Sequence, residues 1–224
     1  MDAGDVKKLA VILLGIFLSA VDSTLAQGFI NMDFEDSIVA NPGQFGATGQ
    51  VPGWTEYNGF GDSNYSGGTT LIYNDRPVDD PGVCLEGSDS FIPAIDGQYS
   101  IFLFGGDVFT SGAAIGQTGQ IPLGTQSIEF LATTDDLQVS FNGNPIPVAQ
   151  IGSGSGYITM GGDISTYAGQ TGQLLFFAPT GSDSQEVDSM LDDIQFSSMP
   201  VPEPKDFTLG AIGLGLAVFR RRKN

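Results

Sequence analysis

Leu137-Gln138-Val139-Ser140-Phe141 alternates apolar and polar side chains without a break, and Asn142-Gly143 follows at once. Period two puts Leu137, Val139 and Phe141 on one face of a half-buried strand. Asn-Gly favours the paired φ > 0 positions of a type I′ turn, so the chain reverses here, and Ile146, Val148 and Ile151 offer the returning strand. Outward from this hairpin, short apolar runs punctuated by Gly, Pro, Asn and Asp predict further strands. They fall at Phe29 to Phe34, Thr69 to Tyr73, Tyr99 to Phe104, Ser127 to Leu131, Gly156 to Met160, Gln173 to Ala178 and Met190 to Phe196. About nine short strands without a long amphipathic helix make the chain all-β, an antiparallel β-sandwich. Asp163 to Tyr167 suits one helical turn. Gly-rich Phe60 to Gly68 and Ile151 to Gly156 read as connections. Asn74 to Asp96 has no strand signal and carries Asp75, Asp79, Asp80, Glu86, Asp89 and Asp96, so it reads as a long, solvated acidic loop.

The sandwich occupies residues 27–200, a length suited to one domain. In residues 1–26, Lys7 and Lys8 precede an apolar run from Leu9 to Ala20 and the small-residue site Thr24-Leu25-Ala26. That basic, apolar, cleavable layout is a secretory signal peptide, which implies the Sec export machinery as a partner and Gln27 as the first mature residue. A buried core helix is the other reading, but the run also falls short of the ~20 residues a spanning helix needs. In residues 201–224, Pro202-Glu203-Pro204 leads to an uncharged run from Phe207 to Phe219, then Arg220, Arg221, Arg222 and Lys223. Terminal cations after an apolar stretch act as a membrane stop, because Lys and Arg stay on the cytoplasmic side. As a short hydrophobic helix the run rises only ~20 Å, less than the ~30 Å hydrocarbon core. A transient membrane anchor fits better than a permanent one.

This tail resembles the PEP-CTERM sorting signal of bacterial envelopes, in which a Pro-Glu-Pro motif, a short Gly-rich apolar segment and an Arg-rich end follow in that order. The resemblance implies an exosortase-like sorting enzyme as partner and delivery to the cell envelope, cell surface or extracellular matrix of a bacterium. Lys205-Asp206 departs from the pattern, which usually continues with small or hydroxylated residues. An ordinary C-terminal anchor would leave the location unchanged.

Charge narrows the functions open to the body. Arg76 is the one basic residue between Gln27 and Pro200, against twenty-one Asp and Glu. Such a field repels nucleic acid and anionic lipid and attracts cations, so nucleic acid is excluded as a partner. The chain has no histidine, which removes Ser-His-Asp and Cys-His catalysis and His-ligated zinc. Cys84, the sole cysteine, has no partner for an intramolecular disulfide and reads as a small buried hydrophobe.

The body resembles galactose-binding-like jelly-roll domains and the carbohydrate-binding modules built on them. Asn31-Met32-Asp33-Phe34-Glu35, Pro52-Gly53-Trp54 and Leu191-Asp192-Asp193-Ile194 carry the resemblance. Segments such as Gln117 to Pro122 and Gly162 to Ser165 match bodies found with PEP-CTERM tails. The resemblance implies a jelly-roll-like sandwich in which Asp33, Glu35, Asp192 and Asp193 meet between the first and last strands to hold a structural calcium. Calcium takes six to eight hard oxygens, and clustered carboxylates otherwise repel. Strand parity shared with Ile194 turns Asp192 inward; solvated strand-end acids are the alternative. Extracellular polysaccharide is the implied ligand. A sugar site needs a flat ring beside amides or carboxylates, which makes Trp54, Tyr57, Tyr65 and Tyr73 the rings to examine, with Asn58, Asn64 and Asp62 as polar neighbours. Trp54, the only tryptophan, is equally a core residue by its area. Glycoside cleavage by two carboxylates is the one catalytic chemistry left open. No catalytic motif is present, so the expectation is a non-catalytic surface or matrix protein, glycan-binding or purely structural.

Overall fold

The computed structural model describes residues 27–60, 67–75, 81–106, 112–181 and 187–201; the expected signal peptide, the Pro202 to Pro204 motif, the apolar run from Phe207 to Phe219 and the basic residues Arg220 to Lys223 lie outside them. The strands are β1 (Ile38–Val39), β2 (Ala47–Gln50), β3 (Thr55–Phe60), β4 (Thr70–Tyr73), β5 (Gly82–Gly87), β6 (Tyr99–Phe104), β7 (Gly112–Gln120), β8 (Ser127–Ala132), β9 (Gln138–Phe141), β10 (Asn144–Ile146), β11 (Val148–Ser153), β12 (Ile158–Asp163), β13 (Thr171–Ala178) and β14 (Asp188–Ser197). They form two sheets, β1-β2-β4-β5-β6-β14-β8-β12-β11 and β10-β9-β13-β7-β3. Leu85, Ile101, Phe130 and Leu191 of the larger sheet meet Ile115, Phe141, Leu174 and Phe176 of the smaller in one core. The chain is therefore an all-β, two-sheet sandwich. One pairing departs from the antiparallel expectation: β4 and β5 run parallel, with Ile72 opposite Cys84 and Tyr73 opposite Leu85.

The Asn142-Gly143 turn forms as predicted, with φ of 49° and 74°, and sets Asn144 opposite Phe141. The return strand is split. β10 pairs with β9, whereas β11 pairs with β12 of the other sheet, so the chain changes sheets at Pro147, a residue without the N–H that a continued ladder would need. One 3₁₀ turn spans Ser165–Tyr167, its start held by Asp163 Oδ1, which accepts from the Ser165 N–H at 2.8 Å.

Four readings are corrected. Phe29 to Phe34 is not a strand: Asn31 and Phe34 take φ of 49° and 57°, which breaks extension. The segment is tied down otherwise, by the Gln117 side-chain amide bonding both the N–H and the C=O of Ile30 (2.7 and 2.9 Å) and by the Ile194 N–H donating to Met32 O at 3.0 Å. The acidic stretch Asn74 to Asp96 is not all solvated loop, since it holds β5, whose six residues are all buried. Ile92 and Ile95 then fold over Cys84, Phe102, Phe104 and Met190 as a second apolar cluster on the outer side of the larger sheet. β7 went unpredicted because Gly-Ala-Ala-Ile-Gly-Gln-Thr-Gly-Gln has no apolar alternation. Its burial is supplied by other residues, with the Phe29 ring lying about 3.0 Å from where a Gly119 Cβ would stand. Finally, β14 is bulged: Asp193 has φ 43° and the register with β8 shifts between Asp192 and Gln195. Ile194 therefore joins the inter-sheet core, while Asp192 is buried on the opposite face of its sheet against Ser100.

Candidate functional site

Alternation along the smaller sheet decides what it shows to solvent. Ala113, Ile115, Val139, Phe141, Leu174, Phe176 and Ala178 enter the core, so their neighbours face outward. Registers align two outward rows, Tyr57-Ala114-Phe177-Gln138 and Thr55-Gly116-Leu175-Ser140-Pro145. Directly opposed residues share a face. β7 contributes almost no side chain to these rows, and the rings use that room. A Cβ on Gly116 would lie 2.9 Å from Leu175 Cδ1 and 3.3 Å from Tyr57 Cε2, and one on Gly112 would collide with the Phe177 ring. The two rings thus lie over glycine backbone. Gln173 Nε2–H donates to the Tyr57 hydroxyl at 2.6 Å and holds that ring down.

Beside this floor runs a groove of about 750 Å³ bounded by Leu175, Phe177, Pro145, Pro147 and Val148, with Gln138, Ser140 and Gln173 as neutral polar groups and Asp135 and Asp136 of the β8–β9 loop at its margin. It combines apolar floor with hydrogen-bonding edges, the composition of a ligand site. Phe177, Leu175 and the polar edge were missed in the sequence. The available signal was Leu174-Leu175-Phe176-Phe177, apolar on both faces of a strand whose second face is not covered by another sheet.

Of the predicted rings, Tyr57 alone is placed on this face. Trp54 is 1% exposed, packed at a tilt between Phe34 (5.3 Å) and Phe176 (6.3 Å), with Nε1–H donating to Asn31 O at 2.9 Å. Its ring meets no solvent. Tyr73 is equally buried, its hydroxyl donating to Asp89; burial, then that bond, pushes its pKa up to about 12. Both rings lack the open face that stacking needs. Tyr65, Asp62 and Asn64 lie outside the described residues. Asn58 serves the fold, accepting from the Val83 N–H at 3.0 Å.

The four predicted calcium ligands do not converge. Among the described residues no group of three or more Asp, Glu, Cys or His side chains is placed to hold a metal ion. Both Asp193 oxygens accept from Gln195 Nε2 at 2.8 Å, and Asp33 Oδ1 caps the Glu35 N–H at 3.4 Å. Glu35 Oε1 accepts from the N–H groups of Gln98 (2.7 Å) and Tyr99 (3.1 Å), fastening the start of β6. Asp192 is 1% exposed and accepts from Ser100 Oγ at 2.6 Å and from the Asp193 N–H at 2.7 Å. Burial, with the nearby charges of Asp96 and Glu35, raises its pKa to about 7 against these bonds. Glu86 is also raised to about 7, by burial first, and its Oε2 is buried without a partner. Cys84 is buried beside it, the thiol pushed up by burial and then by Glu86, Asp75 and Glu56.

No protein-family model matches the chain, and no curated protein matches it in sequence. Among solved structures it is similar to the K2 cleaved adhesin domain of Lys-gingipain, with a TM-score of 0.42 and 15% identity over 72% of this chain and 99% of that one. It is also similar to a glycoside hydrolase family 43 arabinoxylan arabinofuranohydrolase from Bacillus subtilis in complex with cellotetraose, with a TM-score of 0.36 and 16% identity. That match covers 60% of this chain and 30% of the enzyme.

Proposed function

We propose that this chain is an exported, non-catalytic surface or matrix protein whose jelly-roll-like sandwich binds glycan chains on the outer face of the smaller sheet. The observation that carries the reading is the pair of rings, Tyr57 and Phe177, laid over the bare backbone of Gly116 and Gly112 beside a groove edged with Gln138 and Gln173. A sugar ring offers an apolar C–H face rimmed by hydroxyls, which matches a flat apolar floor with amides around it. The non-catalytic assignment is supported by where the perturbed acids lie. Glycoside cleavage wants a carboxyl of raised pKa in the cleft, whereas Asp192 and Glu86 are buried on the larger sheet's outer side and Glu56, raised by burial, lines a separate small cavity with Asn58, none of them on the groove.

Export and sorting rest on the sequence at the two ends, with Lys7 to Ala26 as the export signal and Pro202 to Lys223 as the tail handled by an exosortase-like enzyme. A glycan-array screen of the full-length protein beside Tyr57→Ala and Phe177→Ala tests the binding. Retention on particular glycans that either substitution weakens is expected. Silence on the whole array would leave a purely structural matrix protein. Mass spectrometry of the envelope fraction tests the sorting: the mature chain begins at Gln27 and lacks Arg220 to Lys223, and an intact polypeptide in the cytosol would end that part of the reading.

A further inference from the structure

We infer that Asp135 and Asp136 restrict the groove to glycans free of acidic groups, an inference that rests on the glycan-binding reading above and adds the class of chain. Both residues are exposed in the β8–β9 loop and both line the groove. Among the described residues no cation offsets them. The described residues include no Lys, Arg or His, and Arg76 is the only basic residue between Gln27 and Pro200. The rest of the lining is uncharged: Gln138, Gln173 and Ser140 as polar groups, Leu175 and Phe177 as floor.

The same two carboxylates treat the two kinds of ligand oppositely. A hydroxyl donates to a carboxylate oxygen in a charge-assisted hydrogen bond, so an uncharged sugar gains from them. The carboxylate of a uronate, or a sulfate group, has no proton to donate and adds a like charge at close range, where the described lining holds no Arg or Lys to receive it. A site for acidic polysaccharide wants such a cation, and the described residues hold none. Asp135 and Asp136 thus set specificity by charge, and Tyr57, Phe177 and the amides supply the contact.

Affinity electrophoresis of the full-length protein in chelator tests this, with β-glucan, xylan and galactomannan as neutral probes and polygalacturonate and alginate as acidic ones. Neutral probes are expected to retard the protein and acidic ones to fail. In the Asp135→Asn, Asp136→Asn double variant the ratio of acidic to neutral affinity rises roughly fivefold at low ionic strength, while Asp33→Asn, Asp36→Asn, outside the groove, leaves the ratio unchanged. In 1 M salt, where the screening length is ~3 Å, the wild-type discrimination shrinks. Acidic probes retained as well as neutral ones by the wild type, or a double variant with an unaltered ratio, would overturn the inference and leave glycan binding standing. Failure of every probe would overturn both.

Discussion

Gln173 on β13 reaches over β7 to the edge strand β3, where its side-chain amide donates to the Tyr57 hydroxyl at 2.6 Å. The bond crosses a strand that has only a glycine, Gly116, beneath the ring. Tyr57 is therefore fixed before any ligand arrives, and the side-chain freedom that binding would otherwise remove is already gone.

Substitutions at the floor should separate ring from hydroxyl. Tyr57→Ala and Phe177→Ala are each expected to weaken binding roughly tenfold, equivalent to about 1.4 kcal/mol. Tyr57→Phe keeps the ring but frees it, and a loss of about two- to fivefold is expected. Affinity electrophoresis on a retained glycan measures all three, and equal losses for Tyr57→Phe and Tyr57→Ala would show that the ring face contributes nothing.

Gly112 and Gly116 should not tolerate a methyl equally. At Gly112 the new carbon meets the Phe177 ring and the Ala178 carbonyl, a backbone atom that cannot step aside; at Gly116 it meets Leu175 Cδ1 at 2.9 Å and Leu174 O at 3.1 Å. Gly112→Ala is expected to cost about 1–3 kcal/mol, more than Gly116→Ala, in urea unfolding. The reverse order would contradict the strand geometry.

Stability should fall as pH rises through neutrality. Asp192 and Glu86 have folded pKa values raised to about 7 from 3.8 and 4.5. Each binds its proton more tightly folded than unfolded, so the stability it lends is complete below about pH 4 and is lost as pH rises through about 7. The melting midpoint, taken in chelator so that no divalent ion neutralises these acids, is expected to drop between about pH 5 and pH 8. Asp192→Asn should flatten that slope while its Oδ1 still accepts from the Asp193 N–H. A midpoint that climbs over the interval would refute the assignment.

Trp54 belongs to the core and not to the site. Trp54→Ala should destabilise the domain by about 3–5 kcal/mol, yet leave glycan affinity near wild type at a temperature where the variant remains folded. Chemical denaturation and the binding assay, run on one preparation, distinguish this from a ligand-stacking role.

The β9 hairpin and β6 were legible because each strand carries its own signal: alternation with an Asn-Gly turn in one, the apolar run Tyr99–Phe104 in the other. β7 was illegible because its burial is lent by the rings of Tyr57, Phe177 and Phe29, far away in sequence. β5 was hidden for a related reason: the cover of its Cys84, Ile92 and Ile95, follows it in the chain, and Glu86 is an acid that is buried all the same. At the site, Tyr57 was legible as an aromatic near a Gly-rich loop. Trp54 and Tyr73 share that description, and only packing distinguishes them, since each ring is buried and its polar end found an acceptor, Asn31 O and Asp89. The bulge at Asp193 defeated parity, which assumes an unbroken ladder.

Pro147 has a mechanical corollary. The strand before it belongs to one sheet and the strand after it to the other, and Pro145, Pro147 and Val148 form one wall of the groove. An occupant lodged there grips both halves of the sandwich at their seam and acts as a brace. Ligand should accordingly lift the melting temperature of the entire domain in a single cooperative thermal shift that grows with concentration, where a loop-tip site would merely quiet its own loop.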